Sequence, residues 1–430
     1  MHPTIAVIGT GYLGTTHAAG MAELGFDVIG VDVDPDRVAR LQRGDAPFFE
    51  PRLEALLRQH TAAGRLRFTT ELADAADVAS VFFLCVGTPQ QEDGLAADMR
   101  QVLGAVRDLA PLLRRPALLV GKSTVPVGTA HALAQLAQQH APDGVPVDVA
   151  WNPEFLREGH GVQDTLRPDR LVLGVSSAEA EQTLREIYAR PLQRGVPLVV
   201  TDTTTAELVK CAANAFLATK ISFINMVAEL SEAASADVLA VSEALGHDAR
   251  IGRAFLHPGL GFGGGCLPKD VRALIAQADD LGVDQPMALL RAVDQINLRC
   301  RSRMAKAAVD ECGGSVAGRR IAVLGAAFKP LTDDVRDSPA LDVARELRRA
   351  GADVQVYDPM ANSNAKEVAP ELQFVETAED AVRAAHLVLH LTEWAEFRLL
   401  DPARLLELVD QPCLLDGRNS LDAAEWRAAG

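Results

Sequence analysis

The 430-residue sequence is poor in several features that define common classes of protein. Basic residues are few, because Lys and Arg total 42 against 58 Asp and Glu, which gives a formal net charge of −16. This deficit argues against a general nucleic-acid-binding protein, which needs a basic surface to displace counterions. An apolar content of 48% with charges of both signs argues against a disordered chain. We therefore expect a folded acidic protein of two or three domains, at about 100–200 residues per domain.

Signals for membranes, secretion and disulfide bonding are also scarce. No uninterrupted apolar run approaches the roughly 18 residues of a spanning helix. The opening residues MHPTIAVIGTGYLG have neither a basic n-region nor a cleavage site, so we expect a strand there rather than a signal peptide. The six Cys are dispersed, without a CxxC motif or metal-ligand spacing, at positions 85, 211, 266, 300, 312 and 413. We expect reduced thiols, a cytoplasmic location, no metal site and no membrane partner.

The order of apolar segments predicts an α/β fold. A strand over residues 4–9, a glycine-rich turn, a helical stretch over His17–Leu24 and a second strand in FDVIGVDVD follow within about 30 residues. Further buried strands are predicted at residues 80–86, 117–123, 147–150, 170–175 and 198–201. After a linker at Gly313–Gly318 the alternation restarts with a strand over 319–325, a helix over 338–351 and strands in ADVQVYDP, HLVLHLT and PCLLDG. Ser338 and Gly351 have the residue types that cap the two ends of that helix.

A helical segment separates these two alternating regions. Residues 203–234 have apolar side chains at helical spacing and no Gly or Pro, which predicts a helix longer than the usual 8–20 residues. Helical segments continue to about Glu311. The predicted architecture is two doubly wound Rossmann-like domains, joined by this long central helix and a helical dimerisation segment. The predicted boundaries are 1–202, 203–312 and 313–430.

The turn after the first strand carries a dinucleotide-binding pattern. Its GxGxxG residues are Gly9, Gly11, Tyr12, Leu13 and Gly14. The glycines make the turn, admit a pyrophosphate and let the helix pack on the strand, with the anion at the helix N-terminus. Asp32 ends the second strand, where a carboxylate binds a ribose 2′-hydroxyl and repels a 2′-phosphate, so we expect NAD rather than NADP. The alternative is a tight turn without a ligand.

Two further loops follow predicted strands, at the edge where open α/β sheets bind ligands. They are VGTP at residues 86–89 and KSTVP at residues 122–126. We expect both loops to touch the cofactor. Each loop taken singly is equally consistent with a turn stiffened by proline.

A glycine-rich loop around Cys266 is the most informative segment. Five glycines within residues 259–265 exclude helix and strand, and let backbone amides approach a ligand closely. Pro268 then begins a helix, so Cys266 lies just before a helix N-terminus with Lys269 nearby. The helix dipole and the cation both stabilise a thiolate, which makes Cys266 a candidate nucleophile. The alternative is a buried structural Cys.

Three more side chains are candidates because of their positions. Lys210 and Asn214 lie four residues apart on the long helix, hence on one face, among apolar neighbours. A Lys there is costly unless it is paired, functional or extended to the surface. Glu154 follows a predicted strand and therefore also lies at a carboxyl edge, although a single loop Glu is usually solvated.

NAD and a nucleophilic cysteine together imply oxidation at the aldehyde level. Hydride leaves a thiohemiacetal to give a thioester, and water hydrolyses the thioester to an acid. A simple two-electron dehydrogenase, such as a hydroxyacid enzyme, has no need of Cys266 and is the alternative.

Taken together, the motifs resemble those of the UDP-glucose/GDP-mannose dehydrogenases, which convert a nucleotide sugar to its uronic acid with two NAD. The motifs are GTGYLG (9–14), VGTP (86–89), KSTVPVGT (122–129), NPEFLREG (152–159), ELVKCAANAFLATKISFIN (207–225), FGGGCLPKD (262–270), FKPLTDDVRDSPA (328–340) and DGRN (416–419). The resemblance thus extends over the whole chain. It implies oxidation of a C6 hydroxyl to a carboxylate, with UDP-glucose as the expected substrate. Another nucleotide sugar, such as dTDP-glucose, GDP-mannose or a UDP-N-acetylhexosamine, remains an alternative.

The resemblance also implies a role for each catalytic candidate. Cys266 would be the nucleophile of the second oxidation, and Asp270 would position or activate a water. Lys210, assisted by Asn214, would stabilise the oxyanion and the bound aldehyde. Glu154 would act in thioester hydrolysis, and Thr124 would hold the hydrolytic water.

By the same resemblance, most of the binding residues lie in these motifs. The residues that would contact NAD are Gly9, Gly11, Tyr12, Leu13, Gly14, Asp32, Arg37, Val86, Gly87, Thr88, Ser123, Thr124, Glu158, Cys266, Lys269 and Arg336. Those that would contact the nucleotide sugar are Glu154, Phe155, Leu156, Lys210, Asn214, His257, Gly259, Phe262, Gly263, Phe328, Lys329 and Arg418. Arg250 would reach the substrate of the partner subunit in a homodimer, although a plain surface charge is the alternative.

Two features of this chain depart from the simplest expectation. The loop reads GGGC where many family members have GGSC, so Gly265 should change a hydroxyl contact near the thiol and leave the chemistry intact. The turn after IAVLG reads GAAFK and lacks GxGxxG, so side chains such as Lys329 would hold a diphosphate there. The chain has only seven Lys against 35 Arg, and four of them, Lys122, Lys210, Lys269 and Lys329, fall in these motifs. We therefore expect local positive charge around the two anionic ligands.

Overall fold

The computed structural model describes residues 3–430 and divides into two compact units, Met1–Ala213 and Asn214–Gly430. The strands of the first unit are β1 (Ile5–Ile8), β2 (Val28–Val31), β3 (Leu66–Thr69), β4 (Val81–Leu84), β5 (Ala117–Gly121), β6 (Val147–Trp151), β7 (Leu171–Gly174) and β8 (Leu198–Thr201). Its helices are α1 (Tyr12–Glu23), α2 (Pro35–Gln42), α3 (Leu53–Ala62), α4 (Leu72–Ala76), α5 (Arg100–Leu109), α6 (Thr129–His140), α7 (Gly161–Leu166), α8 (Ala178–Ile187) and α9 (Ala189–Gln193).

The first unit is built on one eight-stranded sheet with the order β3-β2-β1-β4-β5-β6-β7-β8. All neighbouring strands are parallel except β6 and β7, which pair antiparallel. Alternate residues of β1 enter two different apolar clusters, with Ile5 and Val7 in one and Ala6 and Ile8 in the other. The sheet is therefore covered on both faces, as expected for a parallel sheet. The strand order reverses between β1 and β4, so the loops after these strands flank the switch point where such sheets bind ligands.

The second unit contains the remaining elements. Helix α10 (Thr203–Ala234) begins in the first unit and continues into the second, followed by α11 (Val238–Gly246), α12 (Leu267–Asp280) and α13 (Ala288–Glu311). The strands are β9 (Arg320–Leu324), β10 (Asp353–Tyr357), β11 (Gln373–Phe374), β12 (Leu387–His390) and β13 (Leu414–Asp416). The other helices are α14 (Pro339–Arg349), α15 (Asn362–Val368), α16 (Ala378–Val382), α17 (Ala395–Arg398), α18 (Pro402–Leu406) and α19 (Ala423–Ala428).

The second sheet is parallel throughout, in the order β11-β10-β9-β12-β13. It reverses between β9 and β12, which again defines a switch point. The predicted cap of α14 is confirmed, because Ser338 Oγ accepts from the Leu341 amide at 3.4 Å and Gly351 has φ +94°. The two doubly wound sheets and the long helix confirm the predicted fold class.

Helix α10 has the predicted bounds and an unexpected property. By length and composition it could cross a membrane, since an 18-residue window reaches a mean hydropathy of 1.3. The criterion is an average, and charged and polar residues interrupt the apolar runs of this helix, so the expected absence of a membrane partner stays a prediction. Core helices meet the same criterion, and one such helix is weak support for a membrane segment. Near its start the helix buries two charged residues, Glu207 and Lys210.

Other differences between prediction and structure are local. Helix α1 begins at Tyr12, within the glycine motif, and not at His17. Strand β3 and helices α2, α3 and α4 were not predicted from the sequence, and neither was the two-residue strand β11. Helix α4 and strand β11 have only five and two residues, so periodicity gives little signal for them.

Candidate active site

The glycine turn after β1 is shaped to receive a dinucleotide. Gly9 has φ +87°, which favours glycine, and a Cβ on Gly14 would lie 1.8 Å from the Gly9 carbonyl oxygen. A Cβ on Gly11 would meet nothing within 4 Å, so this face of the turn is open. Gly11 also gives α1 no side-chain cap, so the helix N-terminus faces outward with backbone donors for an anion. These residues fit the pyrophosphate of NAD.

Asp32 lies at the end of β2, beside this turn. It accepts hydrogen bonds from the Thr10 amide at 2.7 Å and the Asp34 amide at 3.1 Å, and Arg37 Nη1 lies 3.1 Å from its Oδ1. Burial raises the pKa of Asp32, but the hydrogen bonds and the Arg37 charge outweigh it and hold the pKa below its usual value. The residue is therefore an ionised acceptor where a ribose hydroxyl is expected. Whether Arg37 itself contacts NAD stays a prediction.

A buried carboxylate, Glu50, links the turn to a distant loop, and sequence reasoning missed it. It accepts from the Tyr12 hydroxyl at 2.5 Å, from the Gly159 amide at 2.7 Å and from the Val162 amide at 3.3 Å. Burial and the Glu50 carboxylate raise the pKa of Tyr12, and the charge of Glu158 adds to this. Glu50 therefore ties the start of α1 to the end of the NPEFLREG loop. The contact joins residues 109 positions apart, so no local pattern announces it.

The VGTP and KSTVP loops, both predicted to touch the cofactor, are joined to each other by hydrogen bonds. Ser123 Oγ donates to the Val86 carbonyl at 2.6 Å, and Thr88 Oγ1 donates to the Thr124 carbonyl at 2.8 Å. A Cβ on Gly9 would lie 2.9 Å from Val86, so the VGTP loop also packs against the glycine turn. The structure therefore brings these predicted cofactor-binding residues together at the switch point of the first sheet.

A second buried carboxylate, Glu207, holds the far end of the KSTVPVGT loop. It accepts from the Gly128 amide at 2.7 Å and from the Ala130 amide at 2.6 Å, at the start of α6. Burial raises the pKa of Glu207, and the two amides partly oppose that rise. Because Glu207 lies on α10, it fixes this loop to the helix that carries Lys210. Sequence reasoning gave Glu207 no role.

Lys210 and Glu154 form a buried ion pair within the first unit. Lys210 Nζ lies 2.9 Å from Glu154 Oε1, and the Leu156 amide donates to Glu154 Oε2 at 2.5 Å. Phe155 lies between two cations, with Lys210 Nζ 5.6 Å and Arg170 3.7 Å from its ring centre. The ion pair with Glu154 therefore offsets the free-energy cost of burying Lys210 among apolar neighbours. The pair offers a cation and a carboxylate side by side, which suits oxyanion stabilisation and general-base chemistry.

Cys266 is the exposed member of the six cysteines, none of which forms a disulfide bond within residues 3–430. It occupies the N-cap position of α12, as predicted, and its carbonyl accepts from the Asp270 amide at 3.0 Å. The other five Cys are buried or half-buried, and burial raises the pKa of Cys85 to about 12 and of Cys300 to about 11. Exposure at a helix N-terminus distinguishes Cys266 as the thiol most available to a substrate.

Asp270 lies one turn into α12 and is almost fully buried. It accepts from Asn214 Nδ2 at 2.6 Å and from Lys269 Nζ at 2.6 Å. The structure thus brings Cys266, Lys269, Asp270 and Asn214 into one cluster within the second unit, as their predicted roles require. Both carboxylate oxygens of Asp270 are held by donors, so its orientation is fixed.

Side chains outside the predicted set clamp the loop that leads to Cys266. Asn297 on α13 accepts from the Phe262 amide at 2.7 Å and donates to its carbonyl at 3.0 Å. Arg301 donates to the same carbonyl at 3.1 Å and pairs with Asp337 at 2.7 Å. These hydrogen bonds fix the backbone of Phe262, directly before the glycines that lead to Cys266.

Arg418 also acts on this loop from the DGRN motif. Its guanidinium donates to the carbonyls of Leu391 at 2.7 Å, Phe328 at 3.1 Å and Gly261 at 3.3 Å. His257 contacts the Arg418 carbonyl at 2.9 Å. Arg418 therefore joins the predicted substrate residues Phe328 and His257 to the glycine loop. Its direct contact with the sugar nucleotide stays a prediction.

The unusual Gly265 makes room for Arg336. A Cβ on Gly265 would lie 2.3 Å from the Arg336 guanidinium carbon, and the Gly264 amide donates to the Arg336 carbonyl at 2.8 Å. Gly263 and Gly264 likewise pack against Asp337 and the Phe328 ring. The sequence led us to expect only a lost hydroxyl contact at Gly265. The structure shows instead that its missing side chain is replaced by an arginine beside Cys266.

Three further predicted residues are an exposed arginine, a lysine beside an aromatic ring and a glycine bonded to helix α10. The Arg250 side chain is 89% exposed and pairs with Asp248 at 2.6 Å. Lys329 Nζ lies 5.5 Å over the Phe328 ring, and the Gly259 amide donates to Asn225 at 2.8 Å. Within residues 3–430 no group of three or more His, Cys, Asp or Glu is placed to hold a metal ion.

Comparison with family models adds an independent line of support. Three models of one family match successive parts of the chain. They are the NAD binding domain at residues 3–192, the central domain at 204–299 and the UDP binding domain at 322–423 of the UDP-glucose/GDP-mannose dehydrogenase family.

Curated proteins and solved structures of similar length agree with these models. UDP-glucose 6-dehydrogenase YwqF of Bacillus subtilis is 41% identical over 427 residues, covering 99% of this chain and 96% of that protein. A UDP-glucose 6-dehydrogenase of Rhizobium meliloti is 42% identical over 418 residues, covering 96% and 95%. The structure of a UDP-glucose dehydrogenase from Pyrobaculum islandicum superposes with a TM-score of 0.92 at 39% identity, covering 99% and 96%. A UDP-D-ManNAc dehydrogenase from Pyrococcus horikoshii has a TM-score of 0.85 at 28% identity, covering 98% and 96%.

Proposed function

The chain belongs to the UDP-glucose/GDP-mannose dehydrogenase family, and from that premise we propose that it oxidises UDP-glucose to UDP-glucuronate. The overall reaction consumes one sugar nucleotide, two NAD and one water. The observation that carries the proposal is an exposed Cys266 at the N-terminus of α12, beside the Asp270 cluster, in a chain with an open dinucleotide turn. A two-electron dehydrogenase would have no use for that thiol.

The first oxidation converts the C6 alcohol to an aldehyde. The C6 hydroxyl passes its proton to a water positioned by Asp270 as the C6–H bond breaks, and negative charge grows on the C6 oxygen. Lys210 stabilises this charge with its ammonium, and Asn214 assists with its amide. By comparison with oxyanion holes, such donors contribute about 3–4 kcal/mol. NAD, when bound, accepts the hydride in each of the two oxidations.

The second oxidation passes through Cys266. The thiolate adds to the aldehyde carbon to form a thiohemiacetal, and loss of hydride from that carbon leaves a thioester. A water held by Thr124 and Asp270 then attacks the thioester, with Glu154 as the base. The C–S bond breaks, the carboxylate forms, and Cys266 returns as a thiolate.

Each of the two ligands has its own proposed set of contact residues. The NAD set is Gly9, Gly11, Tyr12, Leu13, Gly14, Asp32, Arg37, Val86, Gly87, Thr88, Ser123, Thr124, Glu158, Cys266, Lys269 and Arg336. The sugar-nucleotide set is Glu154, Phe155, Leu156, Lys210, Asn214, Arg250, His257, Gly259, Phe262, Gly263, Phe328, Lys329 and Arg418. The proposed functional domains are 1–202 for NAD, 203–312 for dimerisation and the Cys loop, and 313–430 for the nucleotide.

We also propose a cytoplasmic homodimer without membrane or nucleic-acid partners. Supporting the dimer, helix α10 exposes a stripe of apolar side chains at helical spacing, namely Phe216, Phe223, Met226 and Leu230. Arg250 would reach the partner subunit's substrate from its exposed position. The net charge of −16 supports the absence of a nucleic-acid partner, and cysteines without disulfide bonds within residues 3–430 support the cytoplasmic location.

A panel of nucleotide sugars tests the substrate. UDP-glucose should give the highest kcat/KM, ahead of dTDP-glucose, GDP-mannose and UDP-N-acetylhexosamines. Cys266→Ser should abolish uronic acid formation, while Cys312→Ser, at a half-buried thiol, should retain it. If another nucleotide sugar gives a higher kcat/KM than UDP-glucose, that sugar is the substrate of the same two oxidations. Full activity of Cys266→Ser would overturn the thioester mechanism.

A further inference from the structure

Lys122 is a buried cation for which the proposed mechanism has no use. It follows β5 in the KSTVP loop and is 6% exposed, and its Nζ lies 5.7 Å from the centre of the Phe83 ring. We expected its charge to face the ligands, but its ammonium turns into the first unit. Its hydrogen-bond partners in the described chain are neutral, with Asn152 Oδ1 at 2.8 Å, the Asn152 carbonyl at 3.4 Å and Tyr188 Oη at 3.5 Å. A buried ammonium with neutral partners is costly, which indicates a role beyond packing.

Asn152 is the residue that Lys122 holds. Its Oδ1 also accepts from the Tyr188 hydroxyl at 2.6 Å, and its Nδ2 donates to the Val172 carbonyl at 2.9 Å. Its backbone amide donates to the Gly121 carbonyl at 2.8 Å, next to Lys122. Asn152 is therefore anchored by polar contacts to strands β5 and β7 and to Tyr188, which follows helix α8. Glu154 follows two residues later.

The loop that carries Glu154 lies over a small cavity. The cavity has a volume of about 50 Å³, and His17, Lys122, Asn152, Glu154 and Tyr188 are among the residues that line it. That space is enough for a few water molecules, at about 10–15 Å³ each. Among residues 3–430 the buried His17 Nε2 has no hydrogen-bond partner, so it offers a polar contact to such water. The polar side chains that line this space therefore include Lys122, Asn152 and Glu154.

We propose that Lys122 is a positioning residue for Glu154, acting through Asn152 to hold the carboxylate where it activates the hydrolytic water. The inference rests on the proposed function, because it assigns Glu154 to thioester hydrolysis. It concerns one step alone, because Lys122 acts on Glu154 through Asn152, and hydrolysis is the step assigned to Glu154. Loss of Lys122 should therefore slow hydrolysis and spare the two oxidations.

The pH dependence of Lys122 gives a second signature. Burial lowers the pKa of Lys122 to about 8, Cys85 and Glu154 oppose that change, and Lys210 adds to it. His17 and Tyr188 also face the ammonium, and burial, with the Lys122 charge, lowers the pKa of His17 while burial raises that of Tyr188. Above pH 8 the amine loses its charge-assisted bond to Asn152, so hydrolysis should slow.

Stability should change in the opposite direction over the same range. The folded pKa of Lys122 lies below the unfolded value of about 10.4, so between the two the unfolded chain binds the extra proton. The contribution of Lys122 to the free energy of unfolding therefore rises as pH increases from about 8 to about 10. A residue with only a structural role would lose activity and stability together.

The test measures NADH in the pre-steady state with Lys122→Met, using UDP-glucose, NAD and the intact enzyme. We expect a burst of two NADH per active site followed by a steady-state rate reduced on the order of ten- to a hundredfold, as for a displaced catalytic group. A thioester on Cys266 should accumulate and be visible by intact-protein mass spectrometry. The KM values should change less than threefold, and the loss of rate above pH 8 should disappear. Lys306→Met, at an exposed Lys, is the matched control.

Tyr188→Phe guards against misfolding of the Lys122 variant. It removes one of the two donors to Asn152 Oδ1 and leaves Lys122 in place, so the same burst with a smaller decrease in rate is expected. Equal loss of burst and steady-state rate in either folded variant would overturn the proposal, as would an unchanged steady-state rate. If the wild-type enzyme itself yields one NADH per sugar, the proposed function fails, and this outcome is separate from the Lys122 result.

Discussion

The turns after β1 and β9 share the same backbone hydrogen bond and an adjacent acid, but the acid bonds to each turn differently. In the first unit the Gly9 amide donates to the Val31 carbonyl at 2.8 Å, and in the second the Gly325 amide donates to the Tyr357 carbonyl at 2.8 Å. An acid follows the neighbouring strand in each, Asp32 and Asp358. Asp32 accepts from one turn amide, whereas Asp358 accepts from the amides of Ala326 and Ala327 at 2.8 and 2.9 Å.

The helices that follow the turns complete the contrast. Helix α1 begins at Tyr12, directly in the glycine turn, and has no side-chain cap. Helix α14 begins at Pro339, well after Gly325, and Ser338 caps it. The first turn therefore offers backbone donors to a pyrophosphate, while the protein's own carboxylate occupies the second. A diphosphate in the second unit would therefore have to be bound by side chains, as we propose for Lys329.

Removing the two acids should have the largest effect and separates the two turns. Asp358→Ala leaves the Ala326 and Ala327 amides and the Trp394 indole, at 3.1 Å, without their acceptor. With about 1–3 kcal/mol for each unsatisfied buried group, we expect a loss of about 3–5 kcal/mol in the free energy of unfolding, measured with urea. Asp32→Ala should cost less stability but weaken NAD binding at least about tenfold, measured by calorimetry. Equal losses of stability in the two variants would contradict the comparison.

Alanine substitutions at Gly325 and Gly11 should affect different properties, stability in the first case and NAD affinity in the second. In Gly325→Ala a Cβ would lie 2.4 Å from Thr392 Oγ1 at a φ of +116°, so we expect a loss of about 2–3 kcal/mol with NAD affinity unchanged. In Gly11→Ala the new Cβ meets open space, so stability should be unaffected. The methyl group would instead occupy the pyrophosphate site and raise the Kd for NAD. Thermal unfolding and NAD titration of both variants measure this, and unimpaired NAD binding by Gly11→Ala would locate the cofactor elsewhere.

Substitution of Glu50, which bonds to Tyr12 in the glycine turn, should have a moderate effect on the KM for NAD. Glu50→Gln replaces an acceptor of the Tyr12 hydroxyl and the Gly159 amide with an amide group that can accept at only one end. We expect a KM for NAD about five- to tenfold higher, with kcat little changed, since about 1 kcal/mol of positioning is lost. Glu54→Gln, on the exposed side of α3, is the control. No change in the KM for NAD would show that Glu50 serves the fold alone.

The smallest effect concerns the cysteine loop. In Gly265→Ser the added Cβ displaces the Arg336 guanidinium, which is flexible and 63% exposed. Stability should be unchanged, and the KM for NAD should rise about two- to threefold if Arg336 contacts the cofactor, which is less than 1 kcal/mol. In an Arg336→Ala background, Gly265→Ser should have no further effect, as measured by a double-mutant cycle. Additive effects would mean that the two positions act separately.

The sequence predicted the parts of this comparison that local patterns encode. The glycine turn, the bounds of α10, the N-cap position of Cys266 and the cap of α14 follow from residue type and spacing. Glu50 and Asp358 could not be recognised, because their roles depend on amides brought to them by folding. Lys122 was expected to face the ligands and instead points inward, since position at a strand end does not fix the direction of a side chain.

Counting NADH is the most direct test of the central claim, that one dinucleotide turn in the first unit serves two successive oxidations joined by Cys266. The measurement combines the amount of NADH formed per UDP-glucose consumed with the number of NAD molecules bound per chain. We expect two NADH per UDP-glucose consumed and one NAD site per chain. One NADH per sugar, or a second NAD site per chain, would contradict it.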